Sequence, residues 1–271
     1  MTQLLQHQDI ASKEWWDNGG GFFGRHYMEG DDSKVGYLTT PKRLEERTHI
    51  EVDGIIRLLG LAPGDSVLDC PCGYGRHTNG LSLSGLHVTG VDINSEHLNA
   101  AAALVSSHSD SVRLVVEDMR LMSYHEEFDG AINMFFSFGF FDSHYDNMKV
   151  LENFYQALKP GGRFLMHTDV SMGRVRSGKY KFNEERPLTN GGILRINEQY
   201  DTRTSRINGE WVLIKEGQEE RLTPYSVRVF SYQEFESWCR EVGFSKVVGY
   251  GDWAGNPLDE DSEDMIVVSY K

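Results

Sequence analysis

Short apolar segments rich in β-branched and aromatic residues recur along the first two thirds of the chain. These segments span residues 66–70, 86–92, 112–116, 128–135 and 163–168. Helical periodicity fills most of the intervals between them, at about residues 75–84, 95–106 and 145–158. Strands that alternate with helices are typical of βαβ units. The pattern therefore predicts a doubly wound α/β fold with a mostly parallel sheet and helices on both faces.

The pattern changes after residue 168. Residues 192–230 have the character of extended strands, with turns near 201–206 and 216–219, and no helical stretch separates them. Such strands should pair as an antiparallel meander. The sequence Ser231-Tyr232-Gln233-Glu234 is a capping box that predicts a helix ending at Gly243. Two further strands, near 245–250 and 265–270, bring the prediction to seven core strands and an inserted meander.

The region before the first strand carries one clear helix signal. Thr40-Pro41 has the form of an N-cap followed by proline at the first helical position. Apolar residues then cluster from Ile55 to Leu59, and Gly60 is expected to end the helix. We expect one domain over residues 1–271, in four parts. These are an N-terminal segment (1–40), a core (41–168), the meander (174–230) and a C-terminal part that completes the sheet (231–271).

Charge restricts the partners of the protein. The net charge of −14 repels polyanions and argues against a nucleic-acid partner. Residues 174–228 depart from this balance, with 11 Lys and Arg against 8 Asp and Glu. That excess favours either an anionic ligand or, more simply, a solvated basic surface.

The apolar runs, the first residues and the cysteine content are those expected of an ordinary cytoplasmic protein. No apolar run approaches the roughly 20 residues that cross a bilayer, and the first residues lack the features of a signal peptide. We therefore expect a cytoplasmic protein with no membrane partner. The three cysteines include Cys70 and Cys72 and form neither a disulfide framework nor a four-ligand zinc site. We expect small buried side chains and no metal.

The strongest chemical signal is the segment Val67-Leu68-Asp69-Cys70-Pro71-Cys72-Gly73-Tyr74-Gly75. A buried strand ends in an acid, and a glycine-containing turn leads into a helix. Ligands bind at the carboxyl ends of strands in open α/β sheets, and glycine lets the backbone approach them closely. Several nucleotide-binding folds share such a turn.

Two further acids follow neighbouring strands. Asp92 ends the strand Val88–Asp92, 23 residues after Asp69, where a carboxylate can accept hydrogen bonds from both hydroxyls of a ribose. Glu117-Asp118-Met119 follows the next strand. Its carboxylate can accept from an adenine amine while the methionine covers the ring. Together these positions predict a nucleoside-containing cofactor.

From about Arg47 to the C-terminus, the chain resembles class I S-adenosylmethionine-dependent methyltransferases. The resembling pieces are VLDCPCGYGRH (67–77), VTGVDIN (88–94), VEDMR (116–120), FDGAINMFFSFGFFD (128–142) and LKPGGRFLM (158–166). The resemblance implies a seven-stranded sheet whose last strand is antiparallel, and S-adenosylmethionine as the cofactor.

The resemblance also assigns cofactor contacts. It places the methionine part on the glycine turn, the ribose on the acid at 92 and the adenine amine on the acid at 118. The residues after the fourth strand line the site of methyl transfer. Pro71 stands where the family has its first glycine, so this position offers only its carbonyl. The predicted cofactor residues are Asp69, Pro71, Gly73, Gly75, Asp92, Ile93, Asp118, Met119 and Asn133.

The segments Phe22–Tyr27 and Arg47-Thr48, together with the meander, resemble a subgroup of these enzymes. Many members methylate small natural products at nitrogen or oxygen, and their N-terminal segment folds over the cofactor as a lid. We therefore expect a small-molecule acceptor, with a homo-oligomer left open.

In-line methyl transfer needs alignment and exclusion of water more than it needs strongly polar catalytic groups. We expect Phe135, Phe138 and His144 to line the acceptor pocket. His167, at the end of the fifth strand, and Tyr27, in the lid, are the predicted catalytic groups.

Three alternatives remain at this stage. A nicotinamide-dependent oxidoreductase also uses a glycine turn and a ribose-binding acid. A non-catalytic S-adenosylmethionine-binding protein would keep the same fold. An RNA methyltransferase is disfavoured by the net charge and by the lack of an extended basic tract.

Overall fold

The computed structural model describes residues 15–16, 21–24, 26–32, 43–135 and 137–271. The predicted cap at Thr40-Pro41, and Arg25 and Phe136 within resembling segments, lie outside these ranges.

Seven helices and twelve strands occur within the described residues. The helices are α1 (Tyr27–Asp31), α2 (Leu44–Leu59), α3 (Arg76–Leu83), α4 (Ser95–Leu104), α5 (His144–Ala157), α6 (Met172–Arg176) and α7 (Tyr232–Val242). The strands are β1 (Ser66–Asp69), β2 (His87–Asp92), β3 (Val112–Val116), β4 (Phe128–Asn133), β5 (Leu158–Thr168), β6 (Asn183–Pro187), β7 (Ile193–Asp201), β8 (Arg206–Lys215), β9 (Gln218–Arg221), β10 (Tyr225–Arg228), β11 (Lys246–Tyr250) and β12 (Met265–Tyr270).

Seven strands form the main sheet, in the order β3-β2-β1-β4-β5-β12-β11. Strands β1 to β5 are mutually parallel, and β12 runs antiparallel to both β5 and β11. This confirms the predicted doubly wound sheet with an antiparallel end. The strand order reverses between β1 and β4, which is where such sheets bind ligands.

Helices cover both faces of this sheet, and the period of two along each strand explains why. In β1, Val67 packs under α2 and α3, whereas Leu68 packs on the opposite face beside α5 and α7. In β5, Leu165 packs on the same face as Val67, and Phe164 packs on the opposite face with Leu68. Strands buried on both sides need apolar residues at consecutive positions, which the sequence supplies.

The meander forms a second, antiparallel sheet in the order β10-β8-β7-β6, with β9 beside β10 on the outer edge of β8. The antiparallel pairing was predicted, but β6 was not, because Asn183–Pro187 has no apolar alternation. This sheet has a core of its own. Phe22 of the N-terminal segment packs into that core with Ile207 and Trp211.

Local signals set several boundaries. Gly60 ends α2 with φ of 66°, as predicted. The Ser231 hydroxyl caps α7 by accepting from the Glu234 N–H at 3.2 Å, while the Glu234 carboxylate pairs with Arg228. The three cysteines are buried thiols. Among the described helices, none is long and apolar enough to cross a membrane.

Gly75 offers a test of how tightly α4 packs on the glycine turn. It has φ of +85°, and a Cβ there would lie 2.6 Å from the Ala101 Cβ. Gly161 has nearly the same φ, +83°, with no heavy atom within 4 Å of that position. Gly161→Ala should cost about 1–2 kcal/mol of strain, and Gly75→Ala a further 1–3 kcal/mol from overpacking. Urea unfolding measures both, and equal losses would contradict this packing.

Candidate active site

The carboxyl ends of β1, β2, β3 and β4 meet around one cavity. We call it the first cavity; it holds about 950 Å³ of empty space, counting its opening to solvent. The glycine turn and the ends of β2 and β3 form its floor, and Trp15, Trp16, Phe23 and Tyr27 of the N-terminal segment also line it. This is the edge at which the sequence predicted the cofactor.

The glycine turn presents backbone to the cavity. Gly73 has φ of +54°, and no heavy atom lies within 4 Å of the position that a Cβ would take. Pro71 and Gly73 line the cavity, whereas Asp69 and Gly75 support the turn from below. Asp69 is buried and accepts a 2.6 Å hydrogen bond from the Thr78 hydroxyl. Burial raises the pKa of Asp69 to about 7.

Asp92 joins the turn to the second strand. Its Oδ2 accepts from the Gly73 N–H at 2.8 Å, and its Oδ1 accepts from the Asn94 N–H at 2.8 Å. Burial raises the pKa of this carboxyl. Asp92 and Ile93 both line the cavity, so the carboxylate lies where the sequence predicted a ribose.

Asn94 was missed by the sequence reasoning. Its Oδ1 accepts from the N–H groups of Glu96 and His97 and so caps α4. Its Nδ2 donates to the carbonyl oxygen of Phe23 at 2.7 Å. One side chain thus connects the floor of the cavity to the N-terminal segment above it. The available signal was an Asx residue between a strand and a helix.

The far end of the cavity is flat and aromatic. Asp118 accepts from the backbone and guanidinium of Arg120, which lowers the pKa of the carboxyl although burial opposes this. The Arg120 guanidinium lies 5.5 Å from the Trp16 ring and 5.0 Å from the Phe141 ring. Met119 is buried beside them. These groups provide the acceptor and apolar cover that an adenine requires.

A cluster of charged residues forms the wall opposite. The carboxylate of Glu51 is buried and binds Arg76, His77 at 2.8 Å and Arg47 at 3.5 Å. Burial alone would raise the pKa of Glu51, but these three partners hold it well below its usual range. Burial lowers the pKa of His77 to about 4. Asp31 extends the cluster by pairing with Arg47 and accepting from the Tyr74 hydroxyl.

The first cavity fits S-adenosylmethionine on three observations. Gly73 leaves open space for a close ligand, and the Asp92 carboxylate borders the cavity. Arg76 lines the cavity, and its buried Nη2 has no hydrogen-bond partner in the described part of the chain. A buried guanidinium nitrogen without an acceptor suits the carboxylate of the methionine end.

A second cavity of about 620 Å³ of empty space, partly open to solvent, lies between the end of β5 and the antiparallel sheet. Phe23, Tyr27 and Phe135 line both cavities and so mark the junction between them. Phe135 has φ of +54°, a conformation that bulky residues rarely adopt. Its ring lies 4.6 Å from the Arg76 guanidinium carbon, and such strain typically occurs at functional sites.

The described lining of the second cavity contains three acids, Asp169, Glu184 and Glu198, and one base, Arg186. Glu198 accepts from the hydroxyls of Tyr180, at 2.6 Å, and Tyr225, and burial raises its pKa to about 7. Asp169 also lines the cavity, and burial raises its pKa. By contrast, Arg195 of the same sheet pairs with acids at the surface. The basic excess of residues 174–228 therefore gives no support to an anionic acceptor.

Besides Asp69 and Gly75, four more predicted site residues line neither cavity. Phe138 packs in the core at 5.2 Å from Phe235, because a short 3₁₀ turn (Ser137–Gly139) directs it inward. His144 is exposed at the start of α5, and its ring lies 4.7 Å from that of Trp238 at an interplanar angle of 54°. Asn133 is buried and donates to the Cys70 carbonyl oxygen at 2.9 Å.

His167 is the fourth. It is buried, and its Nε2 lies 3.0 Å from the Asp264 carboxylate. Its ring packs against Phe135 and Trp253, at 4.7 and 5.0 Å between centroids. The histidine therefore stands behind the wall of the junction, and this placement does not support a role as general base.

Comparison with known proteins finds methyltransferases. Residues 67–162 match the model of a methyltransferase domain. Glycine/sarcosine N-methyltransferase of Halorhodospira halochloris is 26% identical over 229 residues, covering 84% of this chain and 83% of that protein.

Solved structures show the same fold. The CcbJ methyltransferase from Streptomyces caelestis superposes with a TM-score of 0.70 at 18% identity, covering 82% of this chain and 94% of that one. CalS10, an amino pentose methyltransferase from Micromonospora echinaspora with bound S-adenosylmethionine, gives a TM-score of 0.63 at 18% identity, covering 84% and 92%.

The sheet order, the glycine turn and the acid after β2 define a class I methyltransferase fold. Together with the methyltransferase domain matched over residues 67–162, they support an S-adenosylmethionine-dependent methyltransferase, with S-adenosylmethionine as its cofactor. The oxidoreductase alternative finds no support in these comparisons.

Asp92 provides a direct test of the cofactor site. Asp92→Ala should weaken S-adenosylmethionine binding by about 1.5–3 kcal/mol, because the ribose loses a charged acceptor. Asp129→Asn, at the opposite edge of the sheet where Asp129 binds Lys159, is the control and should leave affinity unchanged. Calorimetry reports both. Unchanged affinity in a folded Asp92→Ala variant would remove the residue from the site.

Proposed function

We propose that the protein methylates a nitrogen or oxygen of a small molecule that binds in the second cavity. The observation that carries this proposal is the shared wall: Phe23, Tyr27 and Phe135 border both cavities. An acceptor atom at this junction would face the reactive end of a cofactor held on the glycine turn. The named activities of the relatives, on glycine, sarcosine and an amino pentose, support a small acceptor.

S-adenosylmethionine supplies an electrophilic methyl group on a positively charged sulfur. We propose that Arg76 and Asp92 hold the cofactor at two separated points, which fixes the direction of that group. The aromatic rings at the junction exclude water, and their faces stabilise positive charge. Alignment of this kind can supply much of the rate enhancement without a strongly polar catalytic group.

Tyr27 is the predicted catalytic residue that remains at the junction. Its ring stacks on Trp211 with a centroid distance of 5.2 Å and an interplanar angle of 13°, and it also lies 4.7 Å from Phe23. These contacts fix the ring while one edge borders both cavities. We propose that the ring aligns the acceptor, and that His167 only supports Phe135 from behind.

A substitution that fills the second cavity tests where the acceptor binds. Val227 is buried and lines that cavity. Val227→Phe should reduce methylation of the best substrate from a panel of small amines and alcohols at least tenfold, measured by mass spectrometry as the gain of one methyl group. Affinity for S-adenosylmethionine should not change.

The matched control is Ile193→Phe, an enlargement at an exposed position of the same sheet. It should leave methylation unchanged. If Val227→Phe is folded and fully active, the second cavity is not the acceptor site.

Tyr27 distinguishes alignment from proton transfer. If the ring rather than the hydroxyl aligns the acceptor, Tyr27→Phe should keep most of kcat. Tyr27→Ala should lower kcat by about tenfold or more, because the stack on Trp211 is lost. Steady-state kinetics on the same acceptor panel measures this. A Tyr27→Phe variant as impaired as Tyr27→Ala would instead assign the function to the hydroxyl.

A further inference from the structure

The charged groups of the second cavity do not balance. Its described lining contains the acids Asp169, Glu184 and Glu198 and the base Arg186. Arg186 is bound to Glu184, which neutralises that pair. Asp169 and Glu198 remain, so the described lining of the cavity has more acidic than basic groups.

Glu198 is fixed in place. Each of its carboxylate oxygens accepts a hydrogen bond from a tyrosine hydroxyl, one from Tyr180 and one from Tyr225. The tyrosines lie on different segments, and Tyr225 is in β10 while Glu198 is in β7. This rigid acid forms the wall of the cavity that belongs to the antiparallel sheet.

Asp169 is placed differently. It follows directly after β5, and the pairing of Asn133 with Met166 in register brings the end of β5 beside Phe135 at the junction. The Asp169 Oδ2 is buried and has no hydrogen-bond partner among the described residues. Nearby Arg174 directs its Nη1 to the backbone carbonyls of Asp169 and Glu263, at 3.4 and 3.0 Å.

A buried carboxylate oxygen without a donor is costly and rarely occurs without a function. A ligand that brings a positively charged donor would remove that cost. An amine does this and is also a nucleophile that accepts a methyl group. A carboxylate ligand would be repelled by Asp169 and Glu198, and an uncharged hydroxyl would gain less from them.

We propose that the methyl acceptor is a small molecule bearing an amine, and that Asp169 binds this amine and accepts its proton before transfer. This inference rests on the proposed function, because it assigns the substrate class of the second cavity. Glu198, at the wall formed by the antiparallel sheet, favours entry of a cation over an anion when it is ionised.

In the proposed reaction, the bound ammonium first gives one proton to the Asp169 carboxylate, which leaves a neutral amine and a carboxylic acid. The nitrogen lone pair forms a bond to the methyl carbon while the bond from that carbon to sulfur breaks, and the positive charge passes from sulfur to nitrogen. Asp169 then releases its proton to solvent. Burial raises the pKa of Asp169 and so improves it as a proton acceptor.

Three probes of nearly equal shape separate charge from size: cyclohexylammonium, cyclohexanol and cyclohexanecarboxylate. Their binding is measured by calorimetry and ligand-observed NMR, with S-adenosylhomocysteine bound so that no turnover occurs. The ammonium should bind at least about tenfold more tightly than the carboxylate. Asp169→Asn should weaken ammonium binding about tenfold or more, and Asp169→Glu should restore part of it.

The control variant is Glu185→Gln, which removes an acid of β6 that pairs with Arg195 at the surface. It should leave the affinity for all three probes unchanged. Affinity for S-adenosylhomocysteine should be unchanged in every variant, which establishes that each is folded. An Asp169→Asn variant with full affinity for the ammonium would overturn the role of Asp169.

The outcomes also separate the two proposals. Preference for cyclohexanol or the carboxylate would overturn the amine inference while leaving the second cavity as the acceptor site. Failure of all three probes to bind, with S-adenosylhomocysteine binding intact, would contradict the second cavity as the acceptor site and would remove both proposals.

Discussion

The carboxylate of Glu51 is the group on which the geometry of both cavities depends. It is almost fully buried and is stable only because Arg47, Arg76 and His77 surround it. Arg47 and Arg76 also lie over the ring of Phe135, so the same ion pairs hold the wall between the cavities. Removing one partner would leave uncompensated buried charge. Segments distant in the sequence are thereby kept in one arrangement.

Most of the fold could be predicted because its signals are local. Strands buried on both faces must be apolar at consecutive positions, and this pattern located β1 to β4 to within two residues, whereas β5 begins five residues earlier than predicted. The antiparallel sheet was recognised by the absence of helices between its strands. Strand β6 escaped because Asn183–Pro187 is polar and pairs on one side only, with β7. Its strand character comes from its neighbour and not from its own residues.

The site was predictable up to the ends of the strands and not beyond them. Strand-end logic located the carboxyl edge, and Pro71, Gly73, Asp92 and Asp118 do line the first cavity. After a strand ends, one backbone angle decides where side chains point. The left-handed conformation of Phe135 and the turn that follows it direct later aromatic residues into the core. For the same reason the sequence located the end of β5 but did not point to Asp169, the acid two positions after the predicted His167.

Some wall residues border both cavities, whereas others border only the second, and this difference constrains evolution. Phe135 and Tyr27 border both compartments, so under the proposed function a mutation at either position would disturb cofactor and acceptor together. Ile196 and Val227 belong to the antiparallel sheet and border the second compartment. If the second compartment holds the acceptor as proposed, natural variation or directed evolution would change the preferred acceptor through that sheet while leaving the affinity for S-adenosylmethionine intact.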